Sequence, residues 1–253
     1  IGRMEMGAVT KQHIRNIIAK LLARHAKTLA NRVLQYISKF FKWCVGVGYL
    51  ESNPAADIPK PSLERPRERV LQLNEIRSIF AATRTLDGVL GPFVRALMLS
   101  GQRLNEIAQL QWSEVLEDRL EMSGSRNKSG KVITTPLTDC LAKNIRHPFR
   151  GTGPFVFSTT NGTRPIGNFS ALKRRLQDES GCTDWTFHDF RRSMATALAD
   201  EGLSRFSIKC ALNHTDRSVT GIYDRSEHLI RKRAALAAWN SLLGAEPIEP
   251  SEI

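Results

Sequence analysis

The sequence predicts a mainly α-helical chain with one small antiparallel β-sheet, an α+β architecture divided into two units. Three observations predict it. Apolar residues recur at helical spacing through most of the 253 residues. Only one stretch, "RLEMSGSRNKSGKVITTPL" (119–137), shows two short strand-like runs around a polar, glycine-containing turn. The segment "ESNPAADIPKPSLERPRERV" (51–70) gathers four prolines among alternating charges, the mark of an exposed boundary between compact units.

Taken in order, residues 10–25 place Ile14, Ile17, Ile18, Leu21 and Leu22 on one helical face, with Lys and Arg opposite. A second helix is predicted from Thr28 to about Val47, with Leu34, Ile37, Phe40, Phe41 and Val45 as its buried stripe. These helices make the first unit, at 1–60, a small basic all-helical module. After a linker at 61–68, "LQLNEIRSIFAAT" predicts a helix capped near Asn74. The next, around 89–100, carries Leu90, Phe93, Val94, Leu97 and Met98 on one face, and "RLNEIAQLQW" (103–112) predicts a third. The hairpin follows, and "GPFVFS" (153–158) predicts another strand. Helices are then expected at 169–179, 188–201, 205–213 and about 227–243. The second unit spans 69–245, and the acidic, proline-containing tail at 246–253 is expected to be mobile.

Charge carries the first functional information. Thirty-seven Lys+Arg against 25 Asp+Glu give a net charge of +12 and a pI near 10.0. Residues 1–60 hold ten of the basic residues against three acids, more than half of the excess in a quarter of the chain. A polyanionic partner explains such a bias through counterion release, which makes Lys11, Arg15, Lys20, Arg24, Lys27, Arg32, Lys39 and Lys42 candidate nucleic-acid contacts. The four cysteines, at 44, 140, 182 and 210, form no close pair, which argues against a compact zinc site or a disulfide framework and for reduced thiols in a cytosol. No apolar run reaches bilayer-spanning length and no secretory leader is read. The chain opens on Ile1 rather than Met, as a piece of a longer protein would.

Several short motifs hold groups suited to chemistry. In "TFHDFRRSMATALAD", His188 and Arg191 stand three apart, hence on one helical face near an N-terminus that favours anions. In "LSGQRLNEIAQLQW", Arg103 follows Gly101 by two at a helix start, with Glu106 one turn on to orient it. Lys128 sits in the tip of the predicted hairpin, and in "LNHTDRSVTGIYDR" His214 precedes Tyr223 by nine residues. Singly, each reads as readily as a solvated charge, a helix cap or a half-buried aromatic.

Together, in this order and spacing, "SGQRLNEIAQLQW", "RNKSGKVITTPL", "HDFRRSMATAL" and "LNHTDRSVTGIYDR" resemble the tyrosine recombinase (phage integrase) family. The segments "LANRVLQYISKFFKWCVGVGYLESNPAADI" and "RPRERVLQLNEI" resemble the version found in integrases of P4-like phages and genomic islands. The resemblance implies a helical, SAM-like core-binding domain at 1–60 and a catalytic domain at 69–245, clamped around duplex DNA. Two departures stand out. Asn213 occupies the place where the family usually has Gly before the last histidine, and no N-terminal arm-binding domain is visible.

What the resemblance implies agrees with what the residues can do. Tyr223 would attack a phosphodiester and form a 3′-phosphotyrosyl link, splitting strand exchange into two transesterifications. His188 would act as general base, Arg103 and Arg191 would clamp the non-bridging oxygens, Lys128 would protonate the leaving 5′-oxygen and His214 would donate a hydrogen bond. Glu106 would orient Arg103. No carboxylate cluster suited to Mg²⁺ is evident, so neither metal nor cofactor is expected. The implied partners are double-stranded DNA attachment sites, a tetramer assembled on DNA from weakly associating copies, and a DNA-bending accessory factor. The implied setting is the bacterial cytoplasm, at the nucleoid. Two alternatives share these residues: a type IB topoisomerase-like nicking and relaxing enzyme, and a catalytically silent DNA-binding regulator. The last helix presents Leu236, Trp239, Leu242 and Leu243 either to its own domain or, by the family's habit, to a neighbouring protomer.

Overall fold

The computed structural model describes residues 2–64, 67–126, 130, 132–213 and 225–245, with the backbone alone for 225–227. The chain forms two compact units, Ile1–Glu68 and Arg69–Ile253.

In the first unit, α1 (Lys11–Ala23) starts at Thr10, whose hydroxyl accepts from the His13 backbone N–H at 3.4 Å. His25, in the left-handed region at φ 56°, turns the chain into α2 (Lys27–Gly46). Ile14 and Ile18 of α1 pack with Ala30, Leu34 and Phe41 of α2, together with Val9 and Ala55. Phe40, expected in this core, is instead 50% exposed. Adjacent helical residues point about 100° apart, so Phe40 and Phe41 cannot both face α1. Phe40 lies beside Trp43, with ring centroids 6.3 Å apart, and Trp43 beside Tyr49 at 5.8 Å. Buried Asn31 fastens the segment that follows: its Nδ2 donates to Ser62 O at 2.9 Å and Glu64 Oε1 at 2.8 Å, and its Oδ1 accepts from the Ser62 N–H at 3.0 Å.

The second unit is built around α4 (Leu90–Ser100), which is buried on nearly every side. Around it lie α3 (Leu73–Ala82), the short α5 (Leu104–Ala108), α6 (Asp139–Ile145), α7 (Phe169–Ser180), α8 (Phe187–Asp200), α9 (Arg205–Ala211) and α10 (Arg225–Leu242). Strands β1 (Arg119–Met122) and β2 (Ile133–Pro136) pair antiparallel, with Leu120 opposite Thr135 and Met122 opposite Ile133. The alternation puts Leu120 and Met122 into the core with Phe93, Leu97, Phe157, Trp185, Phe190 and Met194. α4 ends at Gly101, at φ 60°, where a Cβ would lie 2.2 Å from Met194 Sδ. Only glycine combines that backbone with so close an approach of α8.

Two expectations of the second unit are corrected, and one helix is added. The helix predicted over 103–112 stops at Ala108, because Leu110 and Gln111 pair with 155–156 instead: the Val156 N–H donates to Leu110 O at 2.9 Å, and Gln111 bridges Phe155. "GPFVFS" is not a strand. Beyond that bridge its backbone bonds a loop, Phe155 N–H to Gly162 O at 3.2 Å and Gly153 N–H to Asn161 O at 3.0 Å. A Cβ on Gly153 would meet Gly162 C at 2.2 Å, so this is a close crossing of two backbones. Helix α6 is absent from the sequence reading, although Thr138 caps it through a 3.4 Å bond from the Leu141 N–H.

The apolar face of α10 packs on its own domain. Leu236 and Trp239 are fully buried, and Trp239 Nε1 donates to Met98 O at 2.7 Å on α4. Trp239→Ala is therefore expected to destabilise the isolated protein by about 3–5 kcal/mol, read from the shift of its urea midpoint. A loss below about 1 kcal/mol would show that this face is not part of the folded monomer.

Candidate active site

The corner between α4 and α5 places Arg103. Gly101 ends α4, and Arg103 adopts extended geometry just ahead of α5. Glu106, one turn on, holds both ends of that arginine: its Oε2 accepts from the Arg103 backbone N–H at 2.9 Å, and its Oε1 accepts from Nη1 at 2.6 Å. One carboxylate thus satisfies a helix N-terminus and fixes the direction of a guanidinium whose side chain remains 49% exposed. As a surface pair it contributes little to stability. Its consequence is orientation.

Arg191 comes from the second turn of α8. It is 4% exposed and bonded to two backbone carbonyls, with Nη1 donating to Gly101 O at 2.8 Å and Nη2 to Leu212 O. No carboxylate of the described residues pairs with it. Burial, and next the charge of Arg103, push its pKa down to about 10, while Glu106 opposes. The group is still cationic at neutral pH. A buried guanidinium without a counter-ion is costly unless an anion completes it, and its fork has more N–H donors than the two carbonyls use.

His188, one turn before Arg191, lies in the first turn of α8, whose N-terminus is closed by the Thr186 N–H donating to Asp189 Oδ2 at 2.8 Å. The ring is open to solvent. Its pKa is nonetheless lowered, first by the protein packed behind it and then by repulsion from Arg192 and Arg191; Asp189 opposes, and Arg103 adds a smaller repulsion. The imidazole is therefore neutral near pH 7 and ready to accept a proton. Arg103, His188 and Arg191 feel one another's charge. They form a cationic cluster with a neutral imidazole beside it.

The remaining candidates divide. Lys128, His214 and Tyr223 lie outside the described residues. Their chain neighbours are the two strands of the hairpin for Lys128, the end of α9 for His214 and the start of α10 for Tyr223. Of the basic residues in the first unit, Lys11 is half-buried; Arg15, Lys20, Arg24, Lys27, Arg32, Lys39 and Lys42 are exposed. Arg32, Lys39 and Lys42 fall within one arc of α2. The sequence reading misses two buried polar residues next to the site, Gln102 and Lys232, 2% and 9% exposed. A lysine in a helix rich in basic residues carries no signal that it turns inward.

Comparison with known proteins places this arrangement. Residues 69–229 match the phage integrase family and residues 1–60 match the phage integrase central domain. The chain therefore belongs to the phage integrase family, the tyrosine recombinases, which are site-specific DNA recombinases. It is 24% identical over 221 residues to the tyrosine recombinase XerC of Roseiflexus castenholzii, covering 81% of this chain and 70% of that protein. It is also 24% identical over 256 residues to the integrase of Shigella phage Sf6, covering 94% of this chain and 65% of the relative. Among solved structures, a lambda integrase dimer bound to a COC′ core site shares the fold with a TM-score of 0.64 at 19% identity, over 87% of this chain and 83% of that one. The Tn1549 transposon integrase follows at 0.59 and 12%, over 85% and 81%.

The electrostatics can be checked without DNA. An NMR titration of the free protein is expected to show His188 with a midpoint below the usual 6.5. Arg192→Gln removes a repelling cation, so the midpoint should move upward. A midpoint at or above 6.5 in the wild-type chain would contradict the site described.

Proposed function

We propose that this chain recombines duplex DNA at specific sites by transient tyrosyl linkage, with residues 69–245 as the catalytic domain and residues 1–60 gripping the DNA. The observation that carries the reading is Arg191, a buried cation that pairs with no carboxylate of the described residues, beside Arg103 and a neutral-biased His188. Such a site suits one phosphodiester in the act of gaining charge.

In this reading the Tyr223 oxygen attacks phosphorus while the bond to the 5′-oxygen breaks. The phenolic proton passes to His188, since a phenol with a pKa near 10 is mostly protonated at neutral pH. Arg103 and Arg191 hold the two non-bridging oxygens, and His214 donates to one of them. Lys128 delivers a proton to the departing 5′-oxygen. The phosphotyrosyl ester conserves the energy of the broken bond, so a 5′-hydroxyl from another strand can reseal it by the reverse steps. Glu106 acts through Arg103. The exposed cations of α1 and α2 would contact phosphates, giving salt-dependent binding with little sequence information. The lambda integrase structures include a tetramer bound to a Holliday junction, and a tetramer on paired sites is the assembly proposed here. Nothing in the matches favours a relaxing enzyme or a silent regulator.

The test is a suicide duplex, nicked so that the fragment carrying the 5′-hydroxyl escapes after cleavage. The wild-type chain should accumulate a covalent protein–DNA adduct on a denaturing gel, and Tyr223→Phe should form none. An undiminished adduct in that variant would remove Tyr223 as nucleophile. Arg191→Lys keeps the charge but loses the fork that spans two carbonyls and a phosphate. Its cleavage rate should fall by about 100-fold, and a wild-type rate would exclude Arg191 from the clamp. Strand exchange between two sites, rather than relaxation alone, is the expected outcome on a paired substrate.

A further inference from the structure

One connected set of buried polar groups lies behind the cationic cluster. Lys232 of α10 donates from Nζ to Thr134 O of β2 at 2.7 Å and to Asn213 Oδ1 at 2.5 Å. Asn213 Nδ2 donates in turn to Gln102 Oε1 at 2.8 Å and, more weakly, to Thr135 Oγ1 at 3.4 Å. Gln102 Nε2 donates to Ser100 O at 2.9 Å and Ala211 O at 3.1 Å. The set joins the residue before Arg103, the residue before His214, the strand that closes the hairpin bearing Lys128, and the helix that starts two residues after Tyr223.

We infer that Lys232 is a positioning residue for strand cleavage, its ammonium holding Asn213, and with it the segment that leads into His214, against β2 and the Arg103 corner. The inference rests on the recombinase reading above. Three physical points support it. First, no carboxylate of the described residues pairs with Lys232, and an apolar side chain of similar length would fill the same space without a desolvation penalty. A buried ammonium is thus a poor choice for stability and a good one for directing two acceptors. Second, Asn213 sits at φ 51°, a conformation that glycine adopts more easily. Glycine would satisfy the backbone there but would leave Lys232 with Thr134 O alone and the Gln102 amide oxygen without its Asn213 donor. The side chain of Asn213 thus serves Lys232 and Gln102 together. Third, the set has no slack: Gln102 and Asn213 both use their amide oxygen and nitrogen within it.

The arrangement has a pH signature. Burial lowers the Lys232 ammonium to about 8. The groups facing it are neutral Thr134 and Thr135 on β2, Gln102 and Asn213, while from α9 the Cys210 sulfur favours the cation. His228 on α10 approaches that sulfur at 3.9 Å, and Arg191 of α8 reaches the neighbouring Leu212 carbonyl. The cation is the form present below about pH 8 and is lost above it. Because the native state disfavours this cation, folding stability from Lys232 is lowest below about 8 and rises with pH toward the ordinary lysine range. Cleavage, if it needs the ammonium, falls through the same window. A purely structural lysine would not make rate and stability move in opposite directions.

The experiment measures single-turnover cleavage of the suicide duplex from pH 6 to 9.5, beside urea stability and DNA affinity. Lys232→Met should remain folded and bind DNA like wild type. It should cleave at least about tenfold more slowly at pH 7 and lose the alkaline fall near pH 8. Asn213→Gly, which keeps the backbone conformation, should reproduce both changes, and the double variant should be no slower than either single one. Lys232→Arg should recover part of the rate without the alkaline fall. Wild-type cleavage in Lys232→Met or in Asn213→Gly, or an unchanged alkaline fall in both, would overturn the inference while leaving the recombinase reading intact. Failure of the wild-type chain to form any adduct would overturn both.

Discussion

The interaction on which the second unit's site depends is the buried guanidinium of Arg191 between the carbonyls of Gly101 and Leu212. Those oxygens terminate two different helices, where carbonyls otherwise lack intrahelical partners. A single side chain of α8 therefore answers the hydrogen-bonding needs of the ends of α4 and α9, and in doing so brings the Arg103 corner and the approach to His214 to one place. The helix ends have a second benefit, since carbonyl termini carry partial negative charge that favours a cation. Among the described residues Arg191 is held there by two carbonyls and by no carboxylate.

Packing makes that geometry possible. Gly101 has to be glycine both for its positive φ and because Met194 of the same α8 passes where a Cβ would sit. The first two turns of α8 thus contact the corner through Met194, bond it through Arg191 and carry His188 beside it. The docking of α8 is itself secured by the segment that opens the second unit, where the Leu71 N–H donates to Ser193 Oγ at 2.8 Å. A change of a few tenths of an ångström in this packing is felt directly at the guanidinium, because close-packed interiors transmit displacement.

Much of this was legible in the sequence, for reasons that can be named. Long helices with strong periodicity, such as α2 and α4, follow from the spacing of their apolar residues. The candidate residues follow from the order of their motifs. Three kinds of feature stay hidden. Competition between a helix and a distant strand, which ends α5 at Ala108, depends on backbone partners far along the chain. Adjacent aromatics such as Phe40 and Phe41 cannot be assigned to core or surface without knowing where α1 lies. Anchors made of backbone carbonyls, as for Arg191, leave no residue signature. Helix α6 is a different case: Thr138 followed by Asp139 is a readable start signal, and its short length is what conceals it.

Arg191 and Lys232, the two buried cations among the described residues, differ in one respect that matters for mechanism. Arg191 keeps its proton throughout the physiological range even with its pKa at about 10, so an anion clamp built on it is insensitive to pH. Lys232, at about 8, is within reach of modest alkalinity. Arginine at 232 would hold its charge but could not place a single compact donor between Thr134 O and Asn213 Oδ1. Lysine at 191 would reach one carbonyl and leave the other helix end unsatisfied. Each position thus favours the cation it has on grounds of donor geometry alone. Because Asn213 and Leu212 are consecutive, the two cations act on the same short stretch, one through a backbone carbonyl and one through a side-chain oxygen. The stretch is held both by the Leu212 side chain in the core and by these charge-assisted bonds, which add the direction that apolar packing lacks.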